Sequence, residues 1–100
     1  MIHRFAYFEI DESRRELRLH GRELSVQPRV FALLVYFARN PDRVIAKDEL
    51  LETLWPGTVV VDGALQRVVS LARSALRQGE MHDAIRTYSR HGYRFCPAPQ

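Results

Sequence analysis

The sequence predicts an α+β domain with a small antiparallel sheet first, three helices next and a β-hairpin last. Three observations predict this order. Short segments between residues 5 and 26 are β-favouring or alternate polar and apolar side chains, as half-buried strands do. Apolar residues then recur at helical spacing in three segments between residues 28 and 77. Two β-favouring segments finally flank a polar turn near residue 90.

The N-terminal sheet is predicted from three short segments. Residues 5–10 are rich in aromatic side chains, and the polar residues 11–13 supply a turn. Residues 16–19 alternate polar and apolar, and residues 23–26 repeat this alternation after a turn at His20-Gly21. We therefore expect three strands that pair antiparallel.

The first two helices have clear end signals. Gln27-Pro28 starts the first helix, because proline at the first helical position sacrifices no hydrogen bond, and Asn40-Pro41 ends it. The second helix is predicted from about residue 47 to residue 55, with Asp48 and Glu49 in its positively polarised first turn. The first helix has an apolar face, so we expect it in the core; this face comprises Val30, Phe31, Leu33, Leu34, Phe37 and Ala38.

The third helix is predicted from Asp62, a good N-cap, to Arg77, after a β-favouring connector at residues 58–61. At 100° per residue its apolar side chains form one stripe. The stripe comprises Leu65, Val68, Val69, Ala72 and Leu76. The opposite arc comprises Gly63, Gln66, Arg67, Ser70, Ser74 and Arg77, with Arg73 nearer the edge.

The chain is expected to end in a hairpin and a short tail. Residues 85–88 and 93–95 are predicted strands on either side of a basic turn at residues 89–92. Two prolines in the tail cannot donate to a sheet, so residues 97–100 are predicted to start a linker. The predicted domain is residues 1–96.

Composition excludes several classes of protein. A chain of 100 residues with 46% hydrophobic and 27% charged residues has the size and composition of one globular domain. It contains no run of 18 apolar residues and no signal peptide, and its single cysteine, Cys96, cannot form an internal disulfide. A cytoplasmic domain without membrane contact is expected.

The sequence predicts no catalysis. Its four histidines are scattered without metal-ligand spacing, Cys96 has no neighbouring base, and there is no glycine-rich phosphate loop. We therefore expect no enzyme activity, no cofactor and no metal.

The net positive charge of the chain lies in its C-terminal part. Residues 62–100 contain six Arg against three acidic residues, whereas residues 1–61 are balanced, so the net charge of +3 lies in the last 39 residues. A surface that attracts phosphates has this property, although many soluble domains have some charge gradient.

Several separated motifs together resemble the OmpR/PhoB family of winged-helix DNA-binding domains. The resemblance spans essentially the whole chain, and the motifs occur in the family's order and spacing. They are Gln27-Pro28-Arg29-Val30-Phe31, Lys47-Asp48-Glu49-Leu50-Leu51, Leu54-Trp55-Pro56-Gly57, Asp62-Gly63-Ala64-Leu65, Arg86-Thr87 and Gly92-Tyr93-Arg94-Phe95.

The resemblance implies a winged helix-turn-helix fold with an N-terminal four-stranded sheet, three helices and a C-terminal hairpin wing. It also implies sequence-specific binding of double-stranded DNA and regulation of transcription. The recognition helix, residues 62–78, would enter the major groove, and the wing, residues 86–95, would touch the minor groove or backbone. A protein-interaction module that kept the fold but lost DNA readout is the alternative.

Further expectations concern partners and arrangement. The loop at residues 56–61 is a candidate contact for RNA polymerase, as in some relatives, and two copies are expected to pair on repeated half-sites. Because the chain starts with Met1, it is similar to the CadC/ToxR type of arrangement, in which the DNA-binding domain comes first.

The predicted DNA contacts lie on the third helix and the wing. Arg67 would meet a phosphate or a guanine edge, with Ser70 one turn away; Arg73 and Arg77 would hold phosphates. Gly63 and Ala64 would permit close backbone approach. The full predicted set is Gly63, Ala64, Gln66, Arg67, Ser70, Leu71, Arg73, Ser74, Arg77, Thr87, Arg90, His91 and Arg94.

Three of these positions have open interpretations. Leu71 stands where the family commonly has Arg or Lys, so it contacts a thymine methyl or a partner subunit, or it extends the core stripe. Thr87 resembles a phosphate-binding residue of relatives, but a cross-strand role is equally consistent. Arg90 replaces a glycine usual in the family, so the turn is expected to take its positive φ at Gly92.

Overall fold

The computed structural model describes residues 1–61 and 63–97 and confirms the α+β class. A four-stranded antiparallel sheet has the order β1-β2-β3-β4, and a three-stranded antiparallel sheet has the order β5-β7-β6. The elements in chain order are β1 (Ile2–Phe5), β2 (Phe8–Asp11), β3 (Glu16–Leu19), β4 (Arg22–Glu23), α1 (Pro28–Arg39), β5 (Val44–Ala46), α2 (Lys47–Leu54), α3 (Ala64–Arg77), β6 (Ile85–Tyr88) and β7 (Gly92–Phe95).

The N-terminal sheet differs from the three strands predicted from the residues. Its first two strands are β1 and β2, and Phe5 pairs with Phe8 across a tight turn, so the single strand predicted at residues 5–10 is wrong. Ala6 adopts a φ of 49° in that turn. The strand predicted at residues 23–26 is also wrong, because β4 ends at Glu23. The four-stranded sheet implied by the family resemblance is confirmed.

The helices begin and end close to the predicted residues. Pro28 is at the start of α1, and Asn40 caps its end, where the backbone N–H donates to the carbonyl of Phe37. The Asn40 side-chain amide also donates to the Tyr36 carbonyl over 2.9 Å. For α3 the described helix starts at Ala64, after Gly63, which has a φ of 91°. The N-cap role predicted for Asp62 lies outside the described residues.

One core joins both sheets to the helices. Phe95 of β7 is fully buried, and its ring stacks 5.6 Å from Phe37 of α1 and meets Phe5 of β1 edge-on at 5.2 Å. The predicted stripe of α3 is buried in this core, together with Ala75. Its opposite face is thereby directed to solvent.

The strand β5 was not predicted, and it fixes the hairpin in place. Val44–Ala46 pairs antiparallel with β7, so Ile45 lies opposite Tyr93 and is fully buried. The hairpin β6–β7 is therefore part of a three-stranded sheet. Within residues 1–61 and 63–97, no helix is long and apolar enough to cross a membrane.

Candidate nucleic-acid interface

The outward face of α3 carries polar and cationic side chains. Gln66, Arg67, Ser70, Ser74 and Arg77 are all exposed, as predicted from the helical period. Gln66 directly precedes Arg67, and the members from Arg67 onward are three or four residues apart, so they lie on adjoining turns of one side of the helix. Within the described residues, Arg67 makes no side-chain hydrogen bond or ion pair, while Arg77 Nη1 lies 3.4 Å from Ser74 Oγ.

The start of α3 offers backbone rather than side chain. Gly63 is exposed in the left-handed conformation, and Ala64 is half-buried. The carbonyl of Gly63 accepts the N–H of Arg67 over 2.9 Å, which begins the helical hydrogen-bond pattern. The first turn of the described helix contains no acidic residue.

The hairpin β6–β7 forms the wing, with Ser89, Arg90 and His91 exposed at its tip. The turn is closed by the His91 N–H, which donates to the Tyr88 carbonyl over 2.9 Å. Gly92 has the expected positive φ, 147°, but the expectation that it replaces a positive φ at Arg90 is wrong, because Arg90 has a φ of 67°. Arg90 is the third residue of the turn, where a type II turn requires positive φ.

The side chain of Arg73 reaches from α3 to the wing. Its Nη2 donates to the Ile85 carbonyl over 3.0 Å and to Thr87 Oγ1 over 2.7 Å. Its guanidinium carbon is 6.0 Å from the centre of the Tyr93 ring. The hydroxyl of Thr87 therefore contacts the third helix, which is neither of the two roles that the sequence suggests for this residue.

Arg94 is half-buried on β7. Its Nη1 donates to the Tyr88 hydroxyl over 3.0 Å, its Nη2 lies 3.8 Å from Asp42 Oδ1, and its buried Nε has no hydrogen-bond partner among the described residues. The hydrogen bond to Tyr88 raises the pKa of the Arg94 guanidinium above its ordinary value. Among the arginines of the predicted DNA-contact set, Arg94 is thus only partly exposed.

Leu71 lies against the core rather than on the outward face. It is half-buried, packs against the core residues and lines a groove with Val26 and Val30. This position favours the interpretation in which Leu71 extends the apolar stripe of α3.

The wing also carries a cation outside the predicted set. Arg86 is exposed on β6, directly opposite Arg94 of β7. It was one of the six C-terminal arginines in the charge count, and the strand alternation of the hairpin could have placed it on the surface. Together α3 and the wing contain six Arg and no acidic residue.

In the described part of the chain, three helices, a closing hairpin and an outward cationic helix face define a winged-helix domain. Residues 21–95 match the sequence model of the family described as "Transcriptional regulatory protein, C terminal", and the chain belongs to this family.

Relatives include the transcriptional activator CadC of Escherichia coli strain K12, 28% identical over 87 residues, which cover 85% of this chain and 17% of CadC. The phosphate regulon transcriptional regulatory protein PhoB of Rhizobium meliloti is 33% identical over 86 residues, 85% of this chain and 38% of PhoB. The chain thus spans less than two fifths of either protein.

Solved structures of similar fold include the DNA-binding domain of Escherichia coli CadC, with a TM-score of 0.83, 26% identity, and coverage of 98% of this chain and 92% of that one. Another is the DNA-binding domain of RstA from Klebsiella pneumoniae in complex with the RstA box. It has a TM-score of 0.81 at 23% identity over 96% of this chain and 97% of that one, which supports the fold alone.

Proposed function

We propose that this domain binds double-stranded DNA in a sequence-specific manner and regulates transcription. The observation that carries the proposal is the outward face of α3, on which Gln66, Arg67, Ser70 and Arg77 are exposed while the opposite stripe is buried. A helix with this division fits the major groove, which is about 12 Å wide. Membership of a family of transcriptional regulatory proteins supports the same function.

Side chains on α3 have separate tasks in this proposal. Arg67 reaches a guanine edge or a phosphate, and Gln66 pairs with an adenine edge, since these residue types form paired hydrogen bonds to those bases. Ser70 lies one turn beyond Arg67. Arg77 and Ser74, near the end of the helix, contact the sugar-phosphate backbone of the DNA.

The start of α3 approaches a phosphate. Gly63 and Ala64 present little side chain there. Backbone N–H groups at a helix start carry partial positive charge, which favours an anion.

The wing binds the adjacent minor groove or backbone. Arg90 and His91 are exposed at the tip, where a cation can enter a narrow minor groove. Arg86 and Arg94 stand opposite each other on the two wing strands. Like charges in this arrangement are destabilising; Asp42 Oδ1, 3.8 Å from Arg94 Nη2, offsets part of the repulsion, and a phosphate beside Arg86 would offset more of it.

Binding to DNA is tested by salt titration with the isolated domain. We expect the logarithm of the affinity to fall linearly with the logarithm of salt concentration, with a slope of about −0.9 for each phosphate neutralised. Selection from random duplexes is expected to enrich a motif with two half-sites one helical turn apart, read by two copies of the domain.

Each failure of this test has a separate meaning. A steep salt slope without an enriched motif indicates a non-specific binder. Absence of DNA binding at low salt contradicts the proposal and favours the protein-interaction module. A single enriched half-site contradicts the pairing of two copies.

We also propose that the loop at residues 56–61 contacts RNA polymerase and that the domain acts in the cytoplasm. Val59 and Val61 support this, because 99% and 80% of their surfaces are exposed and the loop lies outside the regular elements. Exposed apolar side chains of this kind favour a protein partner. We expect Val59→Ser with Val61→Ser, which adds no charge next to the start of α3, to lower transcription from the target promoter several-fold at unchanged DNA affinity. Unchanged transcription in the reporter assay would contradict the contact.

A further inference from the structure

Arg73 differs from the other two arginines of α3 in what it contacts. Its Nε and Nη2 both donate to the Ile85 carbonyl, over 3.3 and 3.0 Å, and Nη2 also donates to Thr87 Oγ1 over 2.7 Å. Both acceptors belong to β6. Arg67 has no such partner among the described residues, and Arg77 contacts Ser74 of its own helix.

The position of β6 makes these contacts consequential. In the order β5-β7-β6, β6 is at the edge of the sheet, so among the described residues only β7 pairs with it along its length. The side chain of Arg73 supplies hydrogen bonds to β6 from α3 instead. It also lies over the face of Tyr93, a buried residue of β7, so it contacts both wing strands.

We propose that Arg73 is a positioning residue, which holds the wing at a fixed distance and angle from α3 so that both reach one DNA duplex together. This inference rests on the proposed function, because it concerns how two DNA-binding elements are held. A wing held in advance loses less conformational freedom on binding. Arg73 therefore raises the affinity for DNA indirectly, by positioning Arg90 at the wing tip. Thr87 is the residue of the wing to which the Arg73 side chain is hydrogen-bonded.

The first part of the test uses the free protein. Arg73→Met keeps an apolar stem over Tyr93 and removes all three hydrogen bonds, and Thr87→Val removes one. We expect amide hydrogens of residues 85–88 to exchange roughly five- to thirty-fold faster in Arg73→Met, with a smaller change in Thr87→Val. Thr87→Ser keeps the hydroxyl and is the matched control with parent-like exchange. Exchange in α1 is expected to stay the same in all variants, which separates a mobile wing from a destabilised domain.

The second part measures DNA binding in a double-mutant cycle. If Arg73 acts through the wing, Arg90→Ala weakens binding roughly tenfold in the parent but less than about twofold in the Arg73→Met background. The salt slope of Arg90→Ala is then unchanged when Arg73→Met is added. A direct phosphate contact by Arg73 predicts additive losses and a further reduction of the slope by about 0.9.

The outcomes separate this inference from the proposed function. Parent-like exchange of residues 85–88 in Arg73→Met, or additive effects with the extra slope change, overturns the positioning role while DNA binding itself stands. If the parent domain fails to bind DNA, the proposed function is wrong. The exchange measurement then still reports whether Arg73 holds the wing.

Discussion

Replacement of Gly92 by alanine is expected to destabilise the domain by about 3 kcal/mol or more, because the added methyl group has no space. A Cβ at this position would lie 1.9 Å from the Ile45 carbonyl oxygen and 3.0 Å from the Ala46 Cα, both on β5. These neighbours are backbone atoms, so β5 and β7 must separate to make room. Gly92 also has a φ of 147°, which residues other than glycine rarely adopt.

Gly57→Ala is the matched control for this variant. Gly57 also has a positive φ, 69°, but a Cβ there would meet nothing within 4 Å. Its replacement tests the backbone strain alone, which we expect to cost about 1 kcal/mol. Urea unfolding of both variants checks the difference. Similar losses in the two would contradict a close approach of β5 to β7.

The hairpin was predictable as a local element, but its attachment to β5 was not. Residues 85–88 and 93–95 have the composition of strands around a basic turn, which a short window of sequence reveals. The strand β5 has three residues and pairs with residues about 48 positions away. Nothing in Val44-Ile45-Ala46 itself specifies such a distant partner. The sequence therefore indicates a role for Gly92 in the turn but not its contact with β5.

The same limit applies to the N-terminal sheet. The turn between β1 and β2 contains Ala6 at a φ of 49°, without the Gly, Pro, Asn or Asp that normally mark a turn. The pairing of Phe5 with Phe8 and the packing of Phe5 on Phe95 stabilise this turn through contacts remote in sequence. By contrast, Pro28 and Asn40 mark the ends of α1 locally, and they were interpreted correctly.

Side-chain exposure on α3 followed from the helical period, whereas side-chain partners did not. A rotation of 100° per residue along the helix places Arg67 and Ser70 opposite the buried stripe, and both are exposed. The partner of Leu71 depends on where α1 lies, and those of Arg73 depend on where β6 lies. The helical period places Arg73 nearer the edge of the polar arc than Arg67, but it does not reveal that β6 lies within reach of Arg73.

The largest expected effect on DNA binding comes from the double variant Arg67→Ala with Arg90→Ala. These two arginines lie on different elements, α3 and the wing tip, and both are exposed. Loss of a base contact by arginine costs about 1–3 kcal/mol, so the double variant is expected to bind its selected site roughly 100-fold more weakly at 0.1 M salt. If both residues neutralise phosphates, the magnitude of the salt slope falls by about 1.8. A smaller fall indicates that one of them reads a base.

A charge-matched control decides whether these arginines act by position or only by charge. Arg14→Ala with Arg22→Ala also removes two positive charges, but from the N-terminal sheet region. Arg14 has 70% of its side chain exposed there, and Arg22 is also exposed. Because both residues lie outside α3 and the wing, we expect less than a twofold change in affinity, since long-range charge effects are screened at this ionic strength. Fluorescence anisotropy with the selected duplex measures both variants. Equal losses of affinity in the two double variants would mean that net charge alone attracts the DNA. Parent-like binding by the Arg67→Ala, Arg90→Ala variant would show that neither arginine contacts DNA.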